Sequence, residues 1–303
     1  MTATIIDGIA VSAKIREECR QRVSAIVARG VPPPGLAVIL VGSDPASQLY
    51  VRNKIRACAQ VGIRSFRFDF KADVNPQIVI DKIEELNQDP LVHGILVQLP
   101  LPRSFDITRV LHTISVDKDV DGFHLYNVGA LVAGGTVFPP CTPYGVLKLL
   151  EHEKIPLEGT NVVVVGASNI VGKPMALMLM QHDATVTICH AKTRDLAQFT
   201  ILADILVVAA GHPNLILPQM VRTGAVVIDV GITRLENGKL VGDVDFEGVA
   251  AKASYITPVP GGVGPMTVSM LLVNTISSCE RWNRETSVTA WSRLSRPPVA
   301  ANK

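Results

Sequence analysis

Apolar and polar positions follow two different periods in the first 120 residues, and their order predicts an α/β fold. The runs with strand character, either continuously apolar or alternating, cover 35–42, 64–70 and 93–102. The stretches with apolar residues at helical spacing cover 12–29, 45–61 and 75–88. Strands that alternate with helices imply a mostly parallel sheet with crossover helices.

The second half of the chain repeats this organisation after a stretch rich in glycine and proline, residues 129–143. Strand-like runs follow at 161–165, 185–189, 205–209 and 225–229. The pattern therefore predicts two doubly wound α/β domains with a cleft between them. We expect residues 1–140 and 267–282 to form a catalytic domain, 141–266 to form a Rossmann-type domain, and 283–303 to be a disordered tail.

Composition narrows the classes of function. A chain of 303 residues is long enough for two domains, and 29 basic against 27 acidic side chains give a net charge of only +2. This balance gives no electrostatic reason to expect a nucleic-acid or membrane partner. The five cysteines are scattered, and the N-terminus lacks the pattern of a signal peptide. We therefore expect a cytoplasmic protein.

The segment VVVVGASNIVGKPM, residues 162–175, is typical of a strand, a glycine turn and a helix that together bind a dinucleotide. It departs from the usual G-x-G-x-x-G pattern, because Ser168 occupies the second glycine position and Gly172 comes six residues after Gly166. An ordinary strand–helix turn explains the motif about equally well. Ser168 would supply a hydroxyl donor where the usual pattern brings the backbone close.

The end of the next strand favours a nucleotide site, and NADP over NAD. An NAD site usually has an acidic residue there for the ribose hydroxyls, but this sequence has His190, Lys192 and Arg194, with Lys173 on the preceding helix. Basic side chains at that position suit a 2′-phosphate. A solvated basic surface is the alternative.

Candidate catalytic residues lie in the first half of the chain. Tyr50 and Lys54 are four residues apart, so they share one face of a helix, where a lysine can move protons and a tyrosine hydroxyl can orient it. Gln98 follows a predicted parallel strand at the edge where open sheets bind ligands. A solvated helix face that also bears Arg52 and Arg56 is the simpler reading of this helix.

The segment DKDVDG, residues 117–122, matches the start of a calcium-binding EF-hand loop. That loop needs a glutamate at its twelfth position, which is Val128 here, so we expect no calcium. Asp121 is then either a turn residue or a carboxylate that binds N–H donors of a ligand. No histidines pair at metal-ligand spacing, and we expect no metal.

Seven segments together resemble the bifunctional methylenetetrahydrofolate dehydrogenase/methenyltetrahydrofolate cyclohydrolase family, in the order in which that family has them. They are YVRNK, HGILVQLPLP, DKDVDGFH, PCTPYG, GASNIVGKP, GDV and TPVPGGVGPMT, and they extend almost to residue 282. The resemblance implies oxidation of methylenetetrahydrofolate by NADP, followed by hydrolysis of the methenyl product. It also implies a homodimer that forms through the nucleotide domain.

The resemblance also implies roles for individual residues. Lys54 would be the main catalytic residue, Gln98 would hold it, Tyr50 would align the folate ring and Asp121 would bind the pterin edge. The other implied substrate-binding residues are Val97, Leu99, Pro260, Gly261 and Gly262. The implied cofactor-binding residues are Thr142, Gly166, Ala167, Ser168, Ile170, Lys173, His190, Lys192 and Ile232. Some relatives carry arginine where Ala167 stands, so the phosphate role would fall to Lys173 or to residues 190–194.

Two other functions remain open from the residues alone. One is a dehydrogenase of another small substrate, such as an amino acid, with Lys54 as the base. It would leave Gln98, Asp121 and the proline-rich segment TPVPGGVGPMT, residues 257–267, unexplained. The other is a non-catalytic NADP-binding module, which would tolerate the loss of Lys54.

Overall fold

The computed structural model describes residues 2–294, and side chains as far as residue 284. The strands are β1 (Thr4–Ile5), β2 (Gly35–Val41), β3 (Arg64–Phe70), β4 (Gly94–Val97), β5 (Asn161–Val165), β6 (Thr185–Cys189), β7 (Ile205–Val208), β8 (Val226–Asp229), β9 (Thr233–Arg234), β10 (Leu240–Val241) and β11 (Tyr255–Ile256). The α-helices are α1 (Gly8–Ala28), α2 (Pro45–Val61), α3 (Pro76–Gln88), α4 (Ile107–Thr113), α5 (Leu125–Val132), α6 (Cys141–His152), α7 (Gly172–Met180), α8 (Ala197–Thr200), α9 (Phe246–Ala250) and α10 (Val263–Leu294). Short 3-10 helices cover Val116–Lys118 and Pro218–Met220.

Two compact units divide the chain. One contains the residues up to Glu18 and Asp119–Leu272, and we call it the six-stranded unit. The other contains Cys19–Lys118 and the described residues from Val273 to Leu294, and we call it the three-stranded unit. The predicted α/β class and the two parallel sheets are confirmed.

The three-stranded unit has the parallel order β3-β2-β4. All seven residues of β2 are buried, as expected for a central strand covered on both faces. Its core joins alternate residues of β2 and β4 to the apolar face of α3, including Ile39, Val97 and Ile83. Because the chain crosses from β3 to the other side of β2, the order reverses at β2, and sheets of this kind bind ligands at such a point, here the carboxyl ends of β2 and β4.

The six-stranded unit has the order β1-β11-β8-β7-β5-β6, with every pair parallel. Its core is built from valine, leucine and isoleucine of the central strands, such as Val163, Leu206 and Val227. After β5 the chain adds β6 on one side of β5 and then β7 on its other side, so the strand order reverses at β5. The point where dinucleotides bind in such sheets is therefore the gap between the carboxyl ends of β5 and β7.

The units differ from the predicted domains in three places. Strand β1 pairs with β11 in the six-stranded sheet, although the sequence-based division places it in the first domain. Residues 119–140 belong to the six-stranded unit, and the predicted boundary at 129–143 holds the end of α5 and the start of α6. Helix α10 passes from one unit to the other after Leu272 rather than at residue 267.

The first part of the predicted tail, residues 283–294, is helical in the structure, and its predicted disorder stays a prediction. Helix α10 continues through Leu294, and residues 283–294 contain no glycine or proline that would end it. Residues 295–303 lie outside the described part of the chain, so the prediction for them stays a prediction. No helix within residues 2–294 is both long and apolar enough to cross a membrane.

Candidate active site

Helix α2 positions Tyr50 and Lys54, and local sequence fixes where it starts and ends. The Asp44 side chain accepts a hydrogen bond from the Ser47 N–H at 2.7 Å, and Pro45 occupies the first turn, as predicted. Gly62 ends the helix in a left-handed conformation, with φ 86°. Both ends of α2 are therefore capped, so the helix has a fixed start and end, and Tyr50 and Lys54 lie within it.

Lys54 and Gln98 meet in the three-stranded unit although 44 positions separate them in sequence. The Lys54 Nζ donates a hydrogen bond to Gln98 Oε1 at 3.1 Å, and both side chains are half-buried. Gln98 Nε2 donates to the Leu99 carbonyl oxygen at 2.7 Å. The amide is thus held by its nitrogen, and this turns its oxygen toward the lysine.

The neighbours of this pair lie at the carboxyl edge of the same sheet. The Gln98 N–H donates to the Ile39 carbonyl oxygen at 2.9 Å, which extends the pairing of β4 with β2 by one residue. Val97 is buried and Leu99 is half-buried. Tyr50, one turn before Lys54 on α2, is 40% exposed, so its ring is available to a ligand.

Asp121 lies in the six-stranded unit, in a turn that a different aspartate organises. The buried Asp119 carboxylate accepts hydrogen bonds from the N–H groups of Phe123 and His124, at 3.2 and 2.8 Å, and from Asn127 Nδ2 at 2.8 Å. Burial raises the pKa of Asp119 to about 6, and nearby Asp121 contributes to the rise. Sequence reasoning singled out Asp121 and missed Asp119, because its partners are mainly backbone groups that any residue supplies.

The proline-rich segment forms a tight turn between β11 and α10. The Gly262 N–H donates to the Pro258 carbonyl oxygen at 2.9 Å, and Gly261 has φ 111°. Pro260 is exposed, Gly261 half-buried and Gly262 buried. These three predicted substrate-binding residues therefore occur together at the carboxyl edge of the six-stranded sheet.

The turn after β5 has no room for a side chain at its first residue, Gly166. Gly166 has φ 123°, and a Cβ at this position would lie 2.2 Å from the Ala209 carbonyl oxygen. The backbone after β5 thus packs directly on the backbone after β7, at the point where the strand order reverses. Helix α7 begins at Gly172, just beyond this turn, so the geometry fits a dinucleotide phosphate.

Ser168 has a role in this turn that sequence reasoning did not foresee. Its Oγ accepts hydrogen bonds from the N–H groups of Val171 and Gly172, at 3.1 and 3.3 Å, so it caps the turn as an acceptor. Its hydroxyl proton can still be donated. Ala167 and Ile170 are half-buried beside it, and Lys173 Nζ donates to Asn169 Oδ1 at 2.7 Å.

The basic residues at the end of β6 occupy an exposed turn. The Thr193 Oγ1 accepts from the His190 N–H at 2.8 Å, and His190 Nδ1 accepts from the Lys192 N–H at 3.2 Å. The side chains of His190, Lys192 and Arg194 are exposed. The turn therefore presents three basic groups to solvent on the strand next to β5.

The remaining predicted cofactor residues are also in the six-stranded unit. Thr142 lies in the first turn of α6, and its hydroxyl is 3.1 Å from that of Thr267. Ile232 follows β8 and is 40% exposed. Among the residues whose side chains are described, no three His, Cys, Asp or Glu side chains gather as metal ligands would.

Two family models match the chain. Residues 6–121 match "Tetrahydrofolate dehydrogenase/cyclohydrolase, catalytic domain", and residues 140–283 match "Tetrahydrofolate dehydrogenase/cyclohydrolase, NAD(P)-binding domain". The "Bifunctional protein FolD" of Nitrosospira multiformis is 60% identical over 93% of this chain and 97% of its own length. That of Bordetella bronchiseptica is 57% identical over 93% and 99%.

Solved structures show the same architecture. The bifunctional FolD methylenetetrahydrofolate dehydrogenase/cyclohydrolase of Campylobacter jejuni has a TM-score of 0.90 and 52% identity, covering 92% of this chain and 99% of its own. The FolD of Trypanosoma brucei, complexed with NADP cofactor and inhibitor, has a TM-score of 0.91 and 40% identity, covering 94% and 99%.

Proposed function

The chain belongs to the tetrahydrofolate dehydrogenase/cyclohydrolase family, and from this premise we propose which residues carry out two reactions on one folate. The first oxidises 5,10-methylenetetrahydrofolate to the 5,10-methenyl cation with NADP. The second hydrolyses that cation to 10-formyltetrahydrofolate. The observation that carries the proposal is the hydrogen bond from Lys54 Nζ to Gln98 Oε1 at the carboxyl edge of the three-stranded sheet.

In the oxidation, a hydride leaves the methylene carbon and no proton is released. When bound, the nicotinamide of NADP supplies the hydride acceptor. The carbon is already activated by two nitrogens, so the protein mainly has to orient it. We assign this orientation to Tyr50, which aligns the folate ring, and to Asp121, which binds the amino-pyrimidine edge of the pterin. The proposed substrate contacts also include Val97, Leu99, Pro260, Gly261 and Gly262.

In the hydrolysis, the oxygen of water bonds to the methenyl carbon and loses a proton. The resulting hydroxyl then loses the second proton as the carbonyl forms, while the bond from that carbon to N5 breaks and N5 takes up one proton, so the reaction releases one proton overall. We assign to Lys54 the holding of the water and the movement of the proton. Gln98 keeps Lys54 in place, because the Leu99 carbonyl oxygen fixes the amide that accepts from it.

We assign dinucleotide binding to the six-stranded unit, with Gly166, Ala167, Ser168, Ile170, Thr142 and Ile232 against the cofactor. The preference for NADP rests on the exposed basic groups at the end of β6, His190 and Lys192, with Lys173 on α7. The T. brucei relative, with NADP bound, supports the same choice. A 2′-phosphate placed among these groups would gain charge-assisted hydrogen bonds.

We also propose that the protein is a homodimer formed through the six-stranded unit. Strand β6 is an outer strand of the sheet, and apolar side chains on β6, in α8 and just after α8 are exposed: Ile188, Phe199, Ile201 and Leu202. A second copy that covered these side chains would remove them from water. The expectations of a cytoplasmic location and of no nucleic-acid partner rest on the five scattered cysteines and the near-neutral charge, and they stay predictions.

A paired assay of Lys54→Gln and Arg56→Gln tests the catalytic assignment. Both residues are on α2, but Arg56 is exposed. We expect hydrolysis of methenyltetrahydrofolate to fall at least about 100-fold in Lys54→Gln, the usual contribution of a group that moves a proton in the transition state. In Arg56→Gln it should stay within about twofold of wild type, as is usual for a surface substitution.

Oxidation of methylenetetrahydrofolate with NADP is measured on the same three proteins, and a circular dichroism spectrum checks that each is folded. If the two variants hydrolyse methenyltetrahydrofolate equally well, Lys54 is not the catalytic lysine. If the wild type uses neither folate, the substrate assignment fails.

A further inference from the structure

Two buried aspartates at the carboxyl edge of the six-stranded sheet have no part in the roles assigned above. Asp229 ends β8, and Asp243 follows β10. Their relative exposures are 4% and 0%. Every hydrogen bond that reaches these carboxylates from the described residues comes from a backbone N–H group. Charged groups this deeply buried are rare unless they hold specific partners in place.

Asp243 fixes the turn that follows β7. Its Oδ2 accepts hydrogen bonds from the N–H groups of Ala210 and Gly211, at 2.7 and 2.8 Å. The preceding residue, Ala209, has its carbonyl oxygen 2.2 Å from where a Cβ of Gly166 would stand. The Asp243 carboxylate therefore holds the backbone against which the proposed nucleotide turn is packed.

The same carboxylate lies against the segment that follows β8. A Cβ on Gly231 would be 2.3 Å from Asp243 Oδ1, so only glycine leaves space for this oxygen. That Oδ1 is buried and has no hydrogen-bond partner among the described residues. Gly231 directly precedes Ile232, which we assign to the cofactor. Asp243 thus touches the turn after β7, which borders the point where the strand order reverses, and also the segment after β8.

Asp229 completes the arrangement by fixing Asp243 itself. The Asp229 carboxylate accepts from the N–H groups of Asp243 and Val244, each at 3.0 Å, and from Gly231 at 3.0 Å. The Asp229 N–H is held in turn by Thr257 Oγ1 at 2.7 Å. The two carboxylates join three backbone segments, which are the ends of β7 and β8 and the residues before α9.

We propose that Asp243 is a positioning residue for dinucleotide binding: it holds the turns after β7 and β8 in the conformation that receives the cofactor. The inference rests on the proposed function only in the choice of NADP as the ligand. Hydrolysis of the methenyl cation needs no dinucleotide. A role in positioning therefore affects NADP affinity and leaves hydrolysis unchanged, whereas a general loss of structure lowers both.

The test is the dissociation constant (Kd) of NADP, measured by isothermal titration calorimetry, with methenyltetrahydrofolate hydrolysis as the second readout. In Asp243→Ala we expect the Kd to rise at least about tenfold. In Asp243→Asn most of the affinity returns, because the amide oxygen can take the place of Oδ2 and accept both N–H bonds. Hydrolysis stays within about twofold of wild type in both variants.

The matched control is Asp245→Ala, two residues away. Asp245 is half-buried, and within the described part of the chain its side chain accepts only from the Gly248 N–H, at 3.4 Å, as the cap of α9. This variant loses a local hydrogen bond but keeps the Asp243 contacts, so its Kd for NADP should not change. If Asp243→Ala does not fold, Gly231→Ala replaces it, since the added Cβ displaces Asp243 Oδ1 and should also weaken NADP binding.

An unchanged Kd in Asp243→Ala, or in the substitute Gly231→Ala, overturns the inference. So does a loss of hydrolysis in step with NADP affinity, or a wild type that does not bind NADP. A wild type that binds NADP but uses neither folate refutes the proposed function instead, and the Kd series still decides the role of Asp243.

Discussion

His93 stands just before β4 with its ring buried in the three-stranded unit, and it shows how one side chain links the fold to pH. Its Nδ1 accepts a hydrogen bond from the Gly35 N–H at 3.0 Å, so this nitrogen must be unprotonated. Burial, and then the nearby Lys118 ammonium, lower the pKa of His93 to about 4. Lys118 Nζ is itself fixed by the carbonyl oxygens of Leu86 and Asp89, at 2.9 and 2.7 Å.

Because the pKa of His93 is lowered in the folded protein, we expect this residue to reduce the free energy of unfolding as the pH falls. In the unfolded chain the ring takes up a proton near pH 6.5, whereas in the folded protein it does so near pH 4. Between these values the unfolded state binds more protons, so stability is lost as pH falls from 6.5 toward 4. From pH 7 to pH 5 the loss due to this residue is about 2 kcal/mol.

Urea unfolding of wild type and His93→Asn at pH 7 and pH 5 measures this effect. The asparagine keeps an acceptor for the Gly35 N–H but does not titrate. The wild type should lose about 2 kcal/mol more than the variant over this pH change. Equal losses would mean that His93 titrates normally in the folded protein.

At the scale of elements, the segment formed by strand β5, the turn after it and helix α7 depends on one glycine. Gly166 combines a φ of 123° with direct backbone contact to Ala209. An alanine there must adopt a conformation that L-residues rarely take and must also push the turn after β7 away. The expected result of Gly166→Ala is a rise in the Kd for NADP of at least about tenfold, with hydrolysis retained.

Gly224→Ala is the matched control for Gly166→Ala. Gly224 also has a positive φ, 82°, but a Cβ at this position would meet nothing within 4 Å. It therefore shares the backbone strain without the collision, and its Kd for NADP should equal that of wild type. Equal Kd values in both variants would show that the close approach at Gly166 does not matter for the cofactor.

For the whole molecule, periodicity predicted the elements that bury a regular face and missed the others. The predicted strands at 161–165 and 185–189 have the observed bounds, because each is a continuous run that the sheet buries or pairs along its length. Strand β1 has only two residues, and its place depends on pairing with β11, about 250 residues later in the chain. Helices α4 and α5 are too short to show a clear apolar period.

The candidate site was predictable to a similar extent. The spacing in the sequence predicted that Tyr50 and Lys54 share one helix face. The direction of the parallel strand predicted that Gln98 lies at the edge of the sheet where ligands bind. That Lys54 and Gln98 touch is a long-range contact that no local pattern shows. No role was predicted for Asp119, Asp229 or Asp243, although the motifs DKDVDGFH and GDV contain two of them, because most of their partners are backbone N–H groups, which any residue supplies.

The central claim is that this one chain oxidises methylenetetrahydrofolate and hydrolyses the product. The most direct measurement incubates the wild-type protein with methylenetetrahydrofolate and either NADP or NAD. It follows reduction of the dinucleotide by absorbance and 10-formyltetrahydrofolate by chromatography, with Lys54→Gln as the reference for uncatalysed hydrolysis. We predict faster reduction with NADP than with NAD, and formation of 10-formyltetrahydrofolate above the rate in Lys54→Gln. Two results would contradict the account. One is that neither dinucleotide is reduced, and the other is that the methenyl product accumulates as fast with the wild type as with Lys54→Gln.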